Sequence, residues 1–191
     1  MLEKIPTGVG RALKGVRAGY EKIVSEDHRF AKVPQTIWLQ SPAFQDGGPL
    51  PARHTDDGEG LSPALRWSGE PADARSLVVI VEDADAPTPE PLVHLLAWNL
   101  PADSGGVEEG AFRSPHHPGR EDGVGRNAFT RIGWLPPDPP TGHGPHLYVF
   151  QIFALDRALT FDDHPGRAAL TAAMDGRVLA RGVLLGTYER R

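Results

Sequence analysis

The stretch Ser76-Leu77-Val78-Val79-Ile80-Val81-Glu82 runs without a break into Asp83-Ala84-Asp85-Ala86-Pro87. An apolar run of strand length, rich in β-branched residues and without polar alternation, reads as an interior strand covered on both faces. Two further runs repeat the signal: Leu92 to Leu100 (LVHLLAWNL) and His146 to Leu155 (HLYVFQIFAL). Between them lies a long irregular stretch, Asp103 to His143, dense in Gly, Pro and His. A loop of that length inside a domain is commonly functional or partly structured. Outside these runs, Thr36 to Leu39 is β-prone, Gly47-Gly48-Pro49 is a turn and Asp56 to Gly60 is a polar loop. Ala168 to Ala180 has helical propensity, with a break near Gly182, and Leu184 to Tyr188 reads as a last short strand. Buried strands, turn signals and few helices predict a mainly-β, packed antiparallel fold without internal repeats.

Composition narrows the function classes. At 191 residues and 39% hydrophobic content the chain is large enough for one domain with a sizeable core. The 22 Gly and 19 Pro sit between apolar runs, as turns in a loop-rich β protein. A net charge of −5 argues against a general nucleic-acid binder, which needs a basic face. The absence of cysteine excludes disulfides, thiolate metal sites and cysteine nucleophiles. No segment approaches the roughly 20 apolar residues of a membrane span. No basic n-region followed by an apolar h-region opens the sequence, so a cytoplasmic location is expected.

The start differs from the rest. Ile5, Val9, Leu13, Val16, Tyr20 and Ile23 recur at three- and four-residue steps, one stripe of a helix. Lys4, Arg11, Lys14, Arg17 and Lys22 cover the other faces. Residues 1–33 therefore read as an amphipathic helical extension of a β domain spanning 34–191. Its stripe is expected to dock on its own domain or on a second copy in a homodimer. Weak contact with an anionic membrane surface is the alternative. On this reading the extension serves assembly more than any pocket.

Four clusters carry candidate chemistry, each with a plainer alternative. Asp83 and Asp85 close the buried strand; extended backbone points both the same way, whereas an Asx turn solvates them. His94 sits within the second strand on the face of Leu96 and Trp98, where a hydrogen-bonded core histidine is the usual finding. Asp138-Pro139-Pro140-Thr141-Gly142 is a stiff loop able to aim backbone N–H groups at an anion, or simply a turn. His146 and Tyr148 open the third strand on one face, a clamp for an anion or a carbonyl. His143 and His146 alone are a poor metal signal, so no metal and no cofactor is expected. If these strand ends converge, they form a polar pocket on an apolar sheet.

In this order the clusters resemble the phosphatidylethanolamine-binding protein family, also called Raf kinase inhibitor-like, in its bacterial branch. Asp83-Ala84-Asp85-Ala86-Pro87 is similar to the family's Asp-Pro-Asp-Ala-Pro, and Ser62-Pro63-Ala64-Leu65-Arg66-Trp67 to its Ser-Pro-x-Leu-x-Trp. Val93-His94 through Asn99-Leu100-Pro101 is similar to its pocket-histidine strand. Gly133-Trp134, then Pro139-Pro140-Thr141-Gly142 and His146-Leu147-Tyr148, is similar to Gly-Tyr, Pro-Pro-x-Gly and His-Arg-Tyr. Ser41-Pro42-Ala43-Phe44 and Leu185-Gly186-Thr187-Tyr188-Glu189-Arg190 resemble bacterial members. The likeness runs from about Ile37 to the end.

This resemblance implies a large antiparallel sheet packed with a smaller sheet, with peripheral helices that include N-terminal and C-terminal ones. It implies a pocket for phosphate, acetate or a phospholipid head group, lined by Asp83, Asp85, Pro87, His94, Pro139, Pro140, Gly142, His146 and Tyr148. It also implies cis peptide bonds at Ala86–Pro87 and Glu90–Pro91. Three positions depart from the family pattern. Leu92 stands for Trp, Leu147 for Arg, and Asp138 for a small residue, where its carboxylate is expected to repel a phosphate. No Lys or Arg falls in the matched positions, so imidazolium and backbone dipoles would have to supply the charge. The expected function is a non-enzymatic binding protein for a small anionic ligand, acting on a protein partner. The alternatives are a kinase or protease inhibitor with a vestigial pocket and, less favoured, a hydrolase. No Gly-x-Ser-x-Gly, zincin or Rossmann motif supports the last.

Overall fold

The computed structural model describes residues 7–190. Its strands are β1 (Trp38–Gln40), β2 (Gly48–Pro49), β3 (Leu65–Ser68), β4 (Ser76–Asp83), β5 (Leu92–Leu100), β6 (Gly106–Val107), β7 (His146–Leu155) and β8 (Val178–Tyr188). Its α-helices are α1 (Thr7–Ala12) and α2 (Arg167–Met174). A five-stranded sheet has the order β2-β8-β7-β4-β5, and a three-stranded sheet the order β1-β3-β6. Pairing is antiparallel except between β2 and β8. The expected architecture of a larger sheet, a smaller sheet and peripheral helices is the one found.

Strand β4 shows why its sequence does not alternate. All eight of its residues are buried. Leu77, Val79 and Val81 face the core shared with Phe150 and Ile152 of β7 and with Leu39, Leu65 and Trp67 of the smaller sheet. Val78 and Ile80 face the other way, onto Leu96 and Phe153, beneath Val24, Phe30, Leu170 and Met174. Each such side chain contributes roughly 1.5–3 kcal/mol by leaving water, and covering both faces requires both the smaller sheet and the N-terminal segment with α2.

The N-terminal segment is not the continuous helix that its stripe predicts. Among the described residues α1 ends at Ala12, and 3-10 turns follow at Tyr20–Lys22 and Val24–Glu26. The backbone N–H groups of Ala18 and Gly19 donate to the carbonyls of Ala86 and Ala84, both at 2.9 Å. Gly19, at φ +108°, makes the bend between α1 and these turns possible. The stripe is split as a result: Ile23 is buried, whereas Val16 and Tyr20 stay exposed. Lys4 and Ile5 lie outside the described residues. The C-terminal end also departs from its reading. Helix α2 stops at Met174, Gly176 takes φ +68°, and β8 then runs the whole length of β7. Sheet pairing along a central strand overrides the local helical propensity of Val178 to Ala180. No described helix is long and apolar enough to cross a membrane.

A buried carboxylate holds the N-terminal segment to the sheet. Glu82, fully buried, accepts from Val24 N–H (2.8 Å), from Gln151 Nε2 (2.8 Å) and from Arg167 Nε (2.6 Å). Gln151 in turn accepts from Ser25 N–H at 2.6 Å. Replacing Glu82→Ala strands these donors, and removing one partner of a buried pair typically costs about 3–5 kcal/mol. Because Arg167 is partly exposed, we expect the lower end of that range in chemical denaturation. A loss below about 0.5 kcal/mol would show that water replaces the carboxylate without penalty.

Candidate functional site

The site lies where the apolar rows of the larger sheet end. On β4 the row Leu77, Val79, Val81 continues to Asp83, and on β7 the row Ile152, Phe150 continues to Tyr148 and His146. Asp83 is paired directly opposite Tyr148. The third element, β5, needs an irregularity to take part. Val81 pairs with Leu95 but Glu82 with Val93, so His94 is the extra residue of a β-bulge. A bulge bends the strand and re-aims a side chain. His94 therefore turns away from the face of Leu96 and toward Tyr148 and Trp134, with ring centroids 5.1 and 6.1 Å away. Simple alternation places it with Leu96 and Trp98; the bulge corrects this.

A cavity of about 470 Å³ opens there. Of the residues named from sequence, Asp83, Pro87, His94, Pro139, His146 and Tyr148 line it, while Asp85, Pro140 and Gly142 do not. Asp85 is turned away by an Asx turn: its N–H donates to Asp83 Oδ1 at 2.8 Å. Its carboxylate accepts Leu147 N–H (2.9 Å) and pairs with Arg17 (2.7 Å). The same turn, with Thr88 N–H on Ala86 O at 2.8 Å, reverses the chain with trans bonds. Ala86–Pro87 and Glu90–Pro91 are both trans, against the expectation. The Pro-Pro loop shapes a wall, and the N–H of His143 donates within it, to Pro140 O at 3.1 Å.

The polar groups divide into paired and unpaired. His146 Nδ1 donates to Asp83 Oδ2 at 2.7 Å, and its Nε2 lies 2.7 Å from His143 Nδ1. Asp138 is held by Arg190, which also takes both oxygens of Asp57. The expected repulsion by Asp138 is thus offset by a guanidinium. His94 Nδ1 donates to Leu135 O at 2.6 Å. Among the described residues its Nε2 has no partner, and neither has the hydroxyl of Tyr148; both are buried. Burial lowers the pKa of His94 against the pull of Asp83, so the free ring is neutral and Nε2 is an acceptor. Burial, with Asp83 and Asp138, raises that of Tyr148, so its O–H remains a donor.

The walls include residues that no motif marked: Leu13, Asp56, His116, Phe129 and Arg131. Their convergence depends on the sheets: His116, Phe129 and Arg131 lie in the long Asp103–His143 stretch, Asp56 opens the polar loop that ends at Gly60, and Leu13 belongs to the N-terminal stripe. Arg131 corrects the expectation of a pocket without a fixed cation, because its guanidinium has no hydrogen bond or ion pair among the described residues. Leu147, in the position of the family's Arg, packs with Ile23 and Val149, away from the cavity. The N-terminal segment contributes Leu13 to the wall, so it belongs to the pocket and not to assembly alone.

Known proteins resemble this chain in sequence and fold. Residues 40–189 match the sequence profile described as phosphatidylethanolamine-binding protein. A UPF0098 protein of Methanothermobacter thermautotrophicus is 38% identical over 154 residues, covering 80% of this chain and 98% of its own. A crystal structure of a phosphatidylethanolamine-binding protein homologue from Chlamydia trachomatis superposes with TM-score 0.72 at 34% identity, covering 82% of this chain and 99% of that one. Escherichia coli YbcL, described as a member of the mammalian family, gives TM-score 0.72 at 28% identity over the same shares. A profile match over residues 40–189, a relative 38% identical over most of both chains and a shared fold lead to one conclusion: this chain belongs to the phosphatidylethanolamine-binding protein family.

Proposed function

We propose that the chain is a non-catalytic binding protein for a small acidic group, a phosphate or the phosphate of a lipid head group, and that the bound state acts on a partner protein. The observation that carries this reading is the pair of buried atoms without partners, His94 Nε2 and Tyr148 Oη, in one cavity with Arg131. Unmet buried polar groups are costly, and a ligand able to meet both recovers that cost. Tyr148 donates to an oxyanion. His94 either accepts from a protonated oxygen of the ligand or takes up a proton and donates. Arg131 adds the fixed charge. A hydrolase reading is disfavoured because, among the described residues of the cavity wall, the Thr88 hydroxyl donates to Glu90 O at 2.7 Å and both nitrogens of His146 are engaged, leaving no serine or threonine hydroxyl beside a free base. Turnover of a chromogenic ester panel would reverse that assignment. Silence toward every small anion would favour the inhibitor with a vestigial pocket.

The pH dependence follows from the sign of the His94 shift. The free ring is neutral, so an anion that binds the protonated ring brings a proton with it, and affinity rises as pH falls from 8 to 6. Phosphate titrated by NMR reads this, and acetate, a monoanion throughout that range, separates histidine protonation from that of phosphate. A flat acetate profile would count against His94. Tyr148→Phe removes an unpaired neutral donor at an unchanged shape, and we expect about a tenfold loss of phosphate affinity, about 1.4 kcal/mol. Affinity equal to the parent's would place the anion elsewhere.

A further inference from the structure

The residues before position 40 lie outside the family match, yet they reach the pocket. Their hold on it is specific. His143 Nε2 lies 2.8 Å from the carbonyl of Leu13 and 3.2 Å from that of Val16. Its Nδ1 faces His146 Nε2, and His146 Nδ1 faces Asp83 Oδ2. A continuous line of contacts therefore runs from a pocket carboxylate through two buried imidazoles to the backbone of the N-terminal strap, residues 7–17.

Counting protons along this line settles its charge. Carbonyl oxygens and an ionised carboxylate only accept. Each of the three links thus needs a proton lying between its atoms, three in all. Two neutral imidazoles bring two. The third converts one ring to an imidazolium opposite the Asp83 carboxylate, and the array is then neutral overall. With one proton fewer, two lone pairs must face each other across one link. Asp83 keeps its charge-assisted bond, so the link that opens is at His143, either toward His146 or toward the strap.

We infer that residues 7–17 form a proton-controlled lid on the pocket, docked while the Asp83–His146–His143 array holds its third proton and released when the array loses it. The surrounding charges are consistent with a switch. From β4 and its following turn, Asp83 favours the proton and Asp85 is neutralised by Arg17. From β5, His94 is neutral, and from β7, Tyr148 is an un-ionised phenol. From the Pro-Pro loop, Asp138 is paired with Arg190. Around His143 itself, burial first, then His146 and Arg17, lower its pKa, whereas the carbonyls of Leu13 and Val16 raise it; the Lys14 side chain lies beside Gly144. The lid has an identifiable pivot. Ala18 and Gly19 are tied to the β4–β5 turn by backbone bonds, and Gly19 carries the positive φ. Its outer end rests on the Pro-Pro loop, so closely that a Cβ at Gly10 would stand 2.2 Å from Thr141 O. The assignment concerns the apo protein and holds whatever the pocket binds.

Hydrogen exchange, corrected for the intrinsic effect of pH, tests it without a ligand. Between pH 6 and 8, protection of amides in residues 10–17 is expected to fall by up to about tenfold per pH unit, the limit for one linked proton, while amides of β4 and β7 hold theirs. His143→Phe should abolish that slope. Gly10→Ala leaves every histidine in place and should lower strap protection at pH 6 at least several-fold. Because coupling is reciprocal, it should also shift the His143 ring titration seen by 15N NMR. Strap protection independent of pH, the same slope in His143→Phe, or an unchanged His143 titration in Gly10→Ala would each overturn the inference.

Discussion

The carboxylate of Asp83 ends a strand that is buried along its whole length, and the site is arranged around meeting its demand for donors. An ionised group in such a position is tolerable only when hydrogen-bonded from several sides. Its two oxygens take the N–H of Asp85 and the Nδ1 of His146. The first bond turns the chain and sends Asp85 to the opposite flank, where it anchors Leu147 and Arg17. The second orients the ring of His146 and, through His143, brings the N-terminal strap into register with the pocket.

Burial on both faces of the larger sheet has a second consequence. Glu82 and Gln151, which point away from the pocket, would be costly inside an apolar layer. They serve instead as the docking points for Val24 and Ser25. Besides the bonds of Ala18 and Gly19 to the turn after β4, the N-terminal segment is thereby held by backbone N–H groups to polar side chains on one face and by backbone carbonyls to an imidazole at the strand ends. A segment held only by its apolar stripe could slide. One held at these directional contacts has a single register.

The cavity itself is a mixture of apolar walls and compensated acids. Asp56 meets His116 at 3.2 Å, Asp83 meets His146, and Asp138 meets Arg190. Among the described residues, what remains unmet in the lining is one imidazole nitrogen, one phenol hydroxyl and the guanidinium of Arg131. Selectivity in such a site comes from which of these three a ligand satisfies, and less from the total charge of the lining.

Much of this was legible in the chain. The unbroken apolar run of β4, the strand-opening His146 and Tyr148, and the Asp83 cluster follow from hydrophobic pattern and local turn chemistry. With the Pro-Pro loop and the other motifs in their order, they were enough to predict the fold class and to point to the family. Other features depended on partners far away in sequence. The bulge at His94 exists only in the pairing of β4 with β5, so period-two reasoning put the ring on the wrong face. The length of β8 was set by β7 alongside it, against the helical propensity of its first residues. Arg131 and Leu13 reach the pocket because loops and an N-terminal segment converge on one end of the sheet. Sequence determined which residues must be buried and which turn. Tertiary structure decided which buried polar atoms found partners, because hydrogen bonds between distant strands are set by register, and register is a property of the assembled sheet.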